Sequence, residues 1–176
     1  MENLVRFNRD DRSTFPYWFA HWCAFNMTAL NLKLWKWKYL FHDFEKPWLK
    51  LIWSYSKVQR FHNEHNKHHL IHWIIKGTAD WEAMIIDWEC GRFTKQQCPL
   101  DSLDEFKRMF SEFEDYILNG TIHDNKTIKY VIDNKIDNQI FVQRIREAYI
   151  NLRNTFVLKF NVDIDDYNIN YLNIDE

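Results

Sequence analysis

SKVQRFHNEHNKHHLIHWIIKGTADWEAMIIDW, residues 56–88, is the stretch whose reading decides the fold. Residues 56–75 follow a helical pattern that Asn66 is placed to interrupt, and Gly77 can close it in the left-handed conformation. Thr78 then has the chemistry of a cap for a helix running through Trp88, with Gly91 as its stop. The same stretch holds five of the chain's eight histidines, His62, His65, His68, His69 and His72. Positions 62, 65, 69 and 72 are three, four and three apart, so an unbroken helix would carry four imidazoles on one face.

Working outward, helical spacing continues. One helix is expected over 16–30 and another over 33–44, where Leu34, Trp37, Leu40 and Phe41 recur with Lys33, Lys36 and Lys38 between them. Pro47 suits a helix start, which predicts a short helix over 48–53. Ser102 and Glu105 have capping-box spacing ahead of Phe106, Met109, Phe110 and Phe113. Two more helices are expected over 126–136 and 138–160, the last burying Ile140, Ile145, Tyr149, Leu152 and Phe156. With three Gly and three Pro in 176 residues, a turn-rich β fold is disfavoured. The expectation is an all-α, single-domain helical bundle over 15–160, with an N-terminal arm over 1–14 and an acidic tail over 161–176.

Composition bounds the function. The net charge of −2 offers no general attraction to nucleic acid, a duplex included, or to anionic lipid, so any phosphate binding must come from a local basic cluster. Cys23, Cys90 and Cys98 are odd in number and lack a C-x-x-C spacing, which suits a reducing cytoplasm. Residues 13–32 contain no Asp, Glu, Lys or Arg, about the length of a membrane span, but Pro16, His21, Asn26, Thr28 and Asn31 make a buried helix the better reading, so no membrane is expected.

The chemistry gathers in the first half of the chain. Neutral imidazole is the commonest metal ligand, and His42-Asp43 sets a carboxylate beside another imidazole. Each piece has a plainer reading: His21 as a hydrogen-bonded core residue, His42-Asp43 as a chance dipeptide, Asp87 as a helix carboxylate paired with Arg92. Taken together, His21, His42-Asp43, the cluster at 62–72 and Asp87 in its apolar setting favour mixed His/carboxylate coordination, because buried carboxylates and imidazoles are costly without a cation.

The order His21, His42-Asp43, Asp87 resembles the signature of the HD superfamily of metal-dependent phosphohydrolases, and HDFEK at 42–46 is similar to its HD-x-x-K variant. His62, Asn66, His68, His69, His72, Asp87 and Trp88 resemble more closely a family of small phage and bacterial HD-like proteins. The resemblance spans about residues 15–92, roughly half the chain; His65 adds an imidazole its pattern does not require, and His62 is favoured over His65. The gap between His69 and Asp87 is shorter than in cyclic-dinucleotide phosphodiesterases.

The resemblance implies one cation held by His21, His42, Asp43 and Asp87, and a second bridged by Asp43 and completed by His62, His68 and His69. Manganese, iron, zinc, cobalt and nickel all suit such donors. It implies hydrolysis of a phosphate ester, with a nucleotide as the expected substrate, Asp43 and Lys46 as catalytic residues, and Lys46, Lys50 and Arg60 as phosphate-binding groups. The expected setting is the cytoplasm, that of the host for a phage protein, and a homodimer is left open. Two alternatives stand beside it: a dinuclear iron oxygenase on the same ligands, and a non-catalytic binding protein with a structural metal.

Overall fold

The computed structural model describes residues 7–8, 10–95, 100–162 and 164. The protein is all-α, 74 % helical. Among the described residues the α-helices are α1 (Phe15–Asn31), α2 (Glu45–Leu49), α3 (Tyr55–His65), α4 (Leu70–Lys76), α5 (Trp81–Thr94), α6 (Ser102–Asn119), α7 (Lys126–Asp133) and α8 (Asn138–Thr155). Tight 3-10 turns at Asp10–Ser13 and Trp37–Phe41 and a π turn at Phe156–Phe160 complete the set. The extended pairing among the described residues is a single bridge, Phe7 with Lys95. Cys98 and nearly all of the acidic tail lie outside the described residues.

These residues form two compact units, one of residues 1–66 and 82–102, the other of 67–81 and 103–176. In the first unit, Thr14 caps α1 through its side-chain oxygen, which accepts from the Tyr17 N–H, and Pro16 sits in the first turn where its missing donor is not needed. The expected helix over 33–44 does not form. The chain runs extended to Lys36 and makes one 3-10 turn, which buries Tyr39 and His42, three residues apart, and leaves Trp37 and Phe41 exposed. Next, α2 begins at Glu45 and contains Pro47, which occupies one of the first positions, where a helix has no partner for an N–H. It ends at Leu49, so residues 50–53 are turn rather than helix. Nor does α5 end at Gly91: it runs on to Thr94, and the bare Gly91 lets the Lys95 side chain pass, its Nζ 3.2 Å from where a Cβ would stand.

In the second unit, Gly77 closes α4 at φ 65° as expected. Asn125 and Asp137 cap α7 and α8, each accepting two backbone N–H bonds. Phe106, Phe110 and Phe113 of α6 meet Phe141 and Tyr149 of α8 ring to ring, at centroid distances of 5.4–6.0 Å. The α8 stripe is Phe141, Ile145, Tyr149, Leu152 and Phe156, with Ile140 exposed. Ile140 stands in the first turn, where its N–H is tied to the Asp137 cap, and Phe141 takes the inward place. Glu105 accepts from Arg108, and within the first unit the Ser102 N–H donates to Glu89.

Candidate metal centre

The first unit is built around a buried polar centre. His21 comes from the middle of α1, His42 and Asp43 from the turn before α2, His62 from α3 and Asp87 from α5. All five are buried. Nε2 of His21 lies 2.9 Å from Oδ1 of Asp87 and 3.7 Å from Oδ2 of Asp43. Nε2 of His42 lies 3.6 Å from Oδ1 of Asp43, 3.6 Å from Oδ1 of Asp87 and 3.5 Å from Nε2 of His21. Donor atoms bonded to one cation at about 2.1 Å stand about 3.0–3.4 Å apart, from octahedral to tetrahedral edge. The four side chains therefore have nearly the spacing of a single coordination shell. A buried His/Asp/Cys cluster able to hold a metal ion is present.

Charge points the same way. Two carboxylates are buried here against one ammonium, that of Lys46, whose Nζ stands 2.5 Å from Oδ2 of Asp43. Burial alone would push both carboxyls up. His42, Lys46 and His62 outweigh it at Asp43, and hydrogen bonds from His21 and His42, with the charge of Lys95, outweigh it at Asp87. Both are held well below the usual carboxylate range, so both are anionic. Burial would lower the Lys46 ammonium, but Asp43 and Asp87 raise it. The surplus negative charge favours a cation between these groups.

Asp43 adopts φ 59°, the left-handed region that side-chain-bearing residues seldom enter, although Asp and Asn tolerate it best. The Trp18 indole donates to the Asp43 carbonyl at 2.8 Å and pins this turn. Left-handed backbone here points the carboxylate inward while the chain passes from the 3-10 turn into α2. Such local strain persists only where the surroundings over-determine it.

Around the donors stands a supporting set, much of which sequence reasoning missed. His42 stacks on Phe25 at 3.6 Å and His21 on Tyr17 at 5.8 Å. Nδ1 of His21 faces Cys90 at 3.7 Å and Thr94 at 3.5 Å. Burial, then the charge of Asp87, pushes the Cys90 thiol well up, so it stays protonated. Asp87, Cys90 and Thr94 are three and seven residues apart on α5, a one-face spacing that could have revealed them. Nε2 of His62 is 3.1 Å from Asp43, and its Nδ1 is hydrogen-bonded to Glu45, which also accepts from Asn66 at 2.7 Å. Glu45 carries no signal beyond standing two residues after Asp43.

The other expected residues are each described within their own unit. His65 is exposed and stacks on Phe61 at 4.0 Å. The four-imidazole face does not form, because the chain leaves the helix at Asn66. His68 and His69 belong to the second unit, where their rings stand 4.3 Å apart. There His72 meets Thr78 at 3.1 Å. Arg60 is exposed and paired with Glu64, and Lys50 reaches the Ser13 carbonyl. Arg92 pairs with Glu89, not with Asp87.

A cavity of about 360 Å³ opens onto this centre. His21, Asp43 and Lys46 form its polar part, Tyr17, Trp18 and Tyr55 offer rings, and Arg12 and Lys50 add positive charge. Comparison of the chain with protein-family models, with curated proteins and with solved structures finds no match in any of the three.

Proposed function

We propose that the protein is a metal-dependent phosphohydrolase acting on a phosphate ester, with a nucleotide as the substrate class. The observation that carries this reading is the convergence of His21, His42, Asp43 and Asp87 at coordination spacing, on a cavity that also holds the Lys46 ammonium. A divalent cation held by these four side chains supplies Lewis-acid chemistry: it lowers the pKa of bound water and draws charge from a phosphoryl oxygen.

The chain's own residues do the rest. Lys46 is kept protonated by Asp43 and turns its ammonium to a phosphate oxygen entering the cavity. Phe25 and Tyr17 fix the planes of the two imidazoles, and Glu45 with Asn66 fixes that of His62, so the donors need little rearrangement. Tyr17, Trp18 and Tyr55 present rings on which a base can lie, and the apolar wall of Pro47, Leu51 and Val58 keeps bulk water away.

The test is turnover and metal content in one preparation. Metal-loaded protein is offered nucleoside mono-, di- and triphosphates and simple phosphate esters, and released phosphate is measured. Losing the Lys46 contact removes about 1.5–3 kcal/mol, the scale of a hydrogen bond to a charged group. Lys46→Gln should therefore lower kcat/KM by roughly ten- to a hundred-fold with metal content unchanged. Full activity in a metal-replete Lys46→Gln protein removes Lys46 from the site. Oxygen consumption by the iron-loaded protein without phosphate release overturns the hydrolase reading.

A further inference from the structure

We propose that the first unit docks on anionic membrane surfaces through an exposed face, rich in aromatic and basic residues, formed by α1, the 3-10 turn at 37–41 and the α2 region. Independently of the metal centre, this unit leaves many large apolar side chains in solvent. Phe19, Phe15, Trp18, Phe44 and Trp48 run ring to ring at 5.2–6.5 Å, and Phe41 joins Phe44 at 6.3 Å. All but the half-buried Trp18 are exposed, Trp48 at 61 %, and the next turn adds Leu51 at 78 % and Ile52 at 72 %. Single exposed apolar residues are ordinary, but a connected set of this kind marks an interaction site.

The charge around these rings identifies the partner. Residues 33–60 hold seven Lys and Arg. Lys46 pairs with Asp43, Lys36 with Glu82 and Arg60 with Glu64, and Lys33, Lys38, Lys50 and Lys57 carry the positive charge of this region in a chain whose total is −2. Lys36 and Lys38 flank the exposed Trp37, and Lys50 sits between Trp48 and Leu51. Bulky rings and aliphatics with interleaved lysines suit the boundary between lipid headgroups and acyl chains, where rings bury and ammonium groups meet lipid phosphates. A second copy of the chain fits less well, since a two-fold contact would set this positive face against itself. No helix among the described residues is long and apolar enough to cross a membrane, so the association proposed is with the surface.

The experiment mixes the full chain with vesicles of phosphatidylcholine alone and of phosphatidylcholine with phosphatidylglycerol, and follows co-sedimentation and tryptophan fluorescence. The protein should partition onto the anionic vesicles with a blue-shifted emission, and hardly at all onto the neutral ones. Phe41→Ser with Trp48→Ser should weaken that partition by about tenfold or more. Lys33→Gln with Lys38→Gln should weaken it by about tenfold, and added salt should do the same. All four positions are exposed, so the melting temperature of each double variant should match the parent. Absence of binding to anionic vesicles at low salt overturns the proposal, and so does unchanged binding by the Phe41/Trp48 variant. A dimer in sedimentation that the Phe41/Trp48 variant abolishes assigns the face to self-contact and likewise overturns it.

Discussion

The two units solve the burial problem with opposite chemistry. At its centre the second places Phe106, Phe110, Phe113, Phe141 and Phe156, whose burial is favourable in itself. The first places His21, His42, Asp43, His62 and Asp87 there, groups whose burial is unfavourable unless each is paired. A phenyl core needs only close packing and tolerates small shifts. A core of imidazoles and carboxylates needs each donor to meet an acceptor, or a cation, within a few tenths of an ångström. Function is therefore expected in the first unit, and stability should answer differently to change in the two.

The largest expected effect is in the second unit. Phe110→Ala removes a fully buried ring that contacts Phe106, Phe113 and Tyr149, and should destabilise the protein by about 3–5 kcal/mol in denaturant titration. Metal affinity of the folded fraction should stay at the parental value; a matching loss would break the contrast between the units.

Next come the ligands. Asp43→Asn and Asp87→Asn should each weaken cation binding by more than about a hundred-fold, read by elemental analysis and calorimetry, since even loss of a group behind a ligand costs 10–100-fold. Cation at about 100 times its Kd should stabilise the parent by about 2.7 kcal/mol. Hydrogen exchange sharpens the comparison: added protection should fall on residues 15–66 and 82–94, and protection spread evenly into 103–160 would contradict it.

Glu45→Gln tests the support behind a donor. It keeps the shape but removes the charge facing His62, and should weaken metal binding by about ten- to a hundred-fold if His62 contributes to the site. Parental affinity would reduce Glu45 to a packing role. The smallest effect is expected at Gly77→Ala in the second unit. Its φ is 65°, and a Cβ would stand 2.9 Å from the Arg144 guanidinium, so about 1 kcal/mol of stability should be lost while metal affinity is untouched.

Parts of the centre are legible in the sequence. His21, His42, Asp43 and Asp87 stand out as polar residues in apolar surroundings, and Asn66 is a credible break in the histidine run. Spacing alone sets Lys46 near Asp43 on a continuing helix. It does stand beside Asp43, but across a break in that helix, because the turn at Asp43 and the new start at Glu45 aim it there. Cys90 and Thr94 share a helix face with Asp87 and could have been read from that spacing, whereas Glu45 and Phe25 are not legible in the same way. Each acts on its partner across a fold-level contact rather than at a local spacing, and Glu45 differs in no visible way from a surface carboxylate.

By itself the sequence determined the features whose causes are local. Helix class follows from apolar periodicity and the scarcity of Gly and Pro. The ends at Thr14, Gly77, Asn125 and Asp137 follow from side chains or backbone freedom acting within three or four residues. Only the tertiary structure decided where the 33–44 segment stops being helical, which of Ile140 and Phe141 turns inward, and whether His62 or His65 faces Asp43. Those choices compare the free energies of burying alternative side chains against partners far along the chain. Asp43 shows the reason most clearly: its left-handed backbone is disfavoured locally, and contacts from Trp18, Lys46 and His62 hold it there.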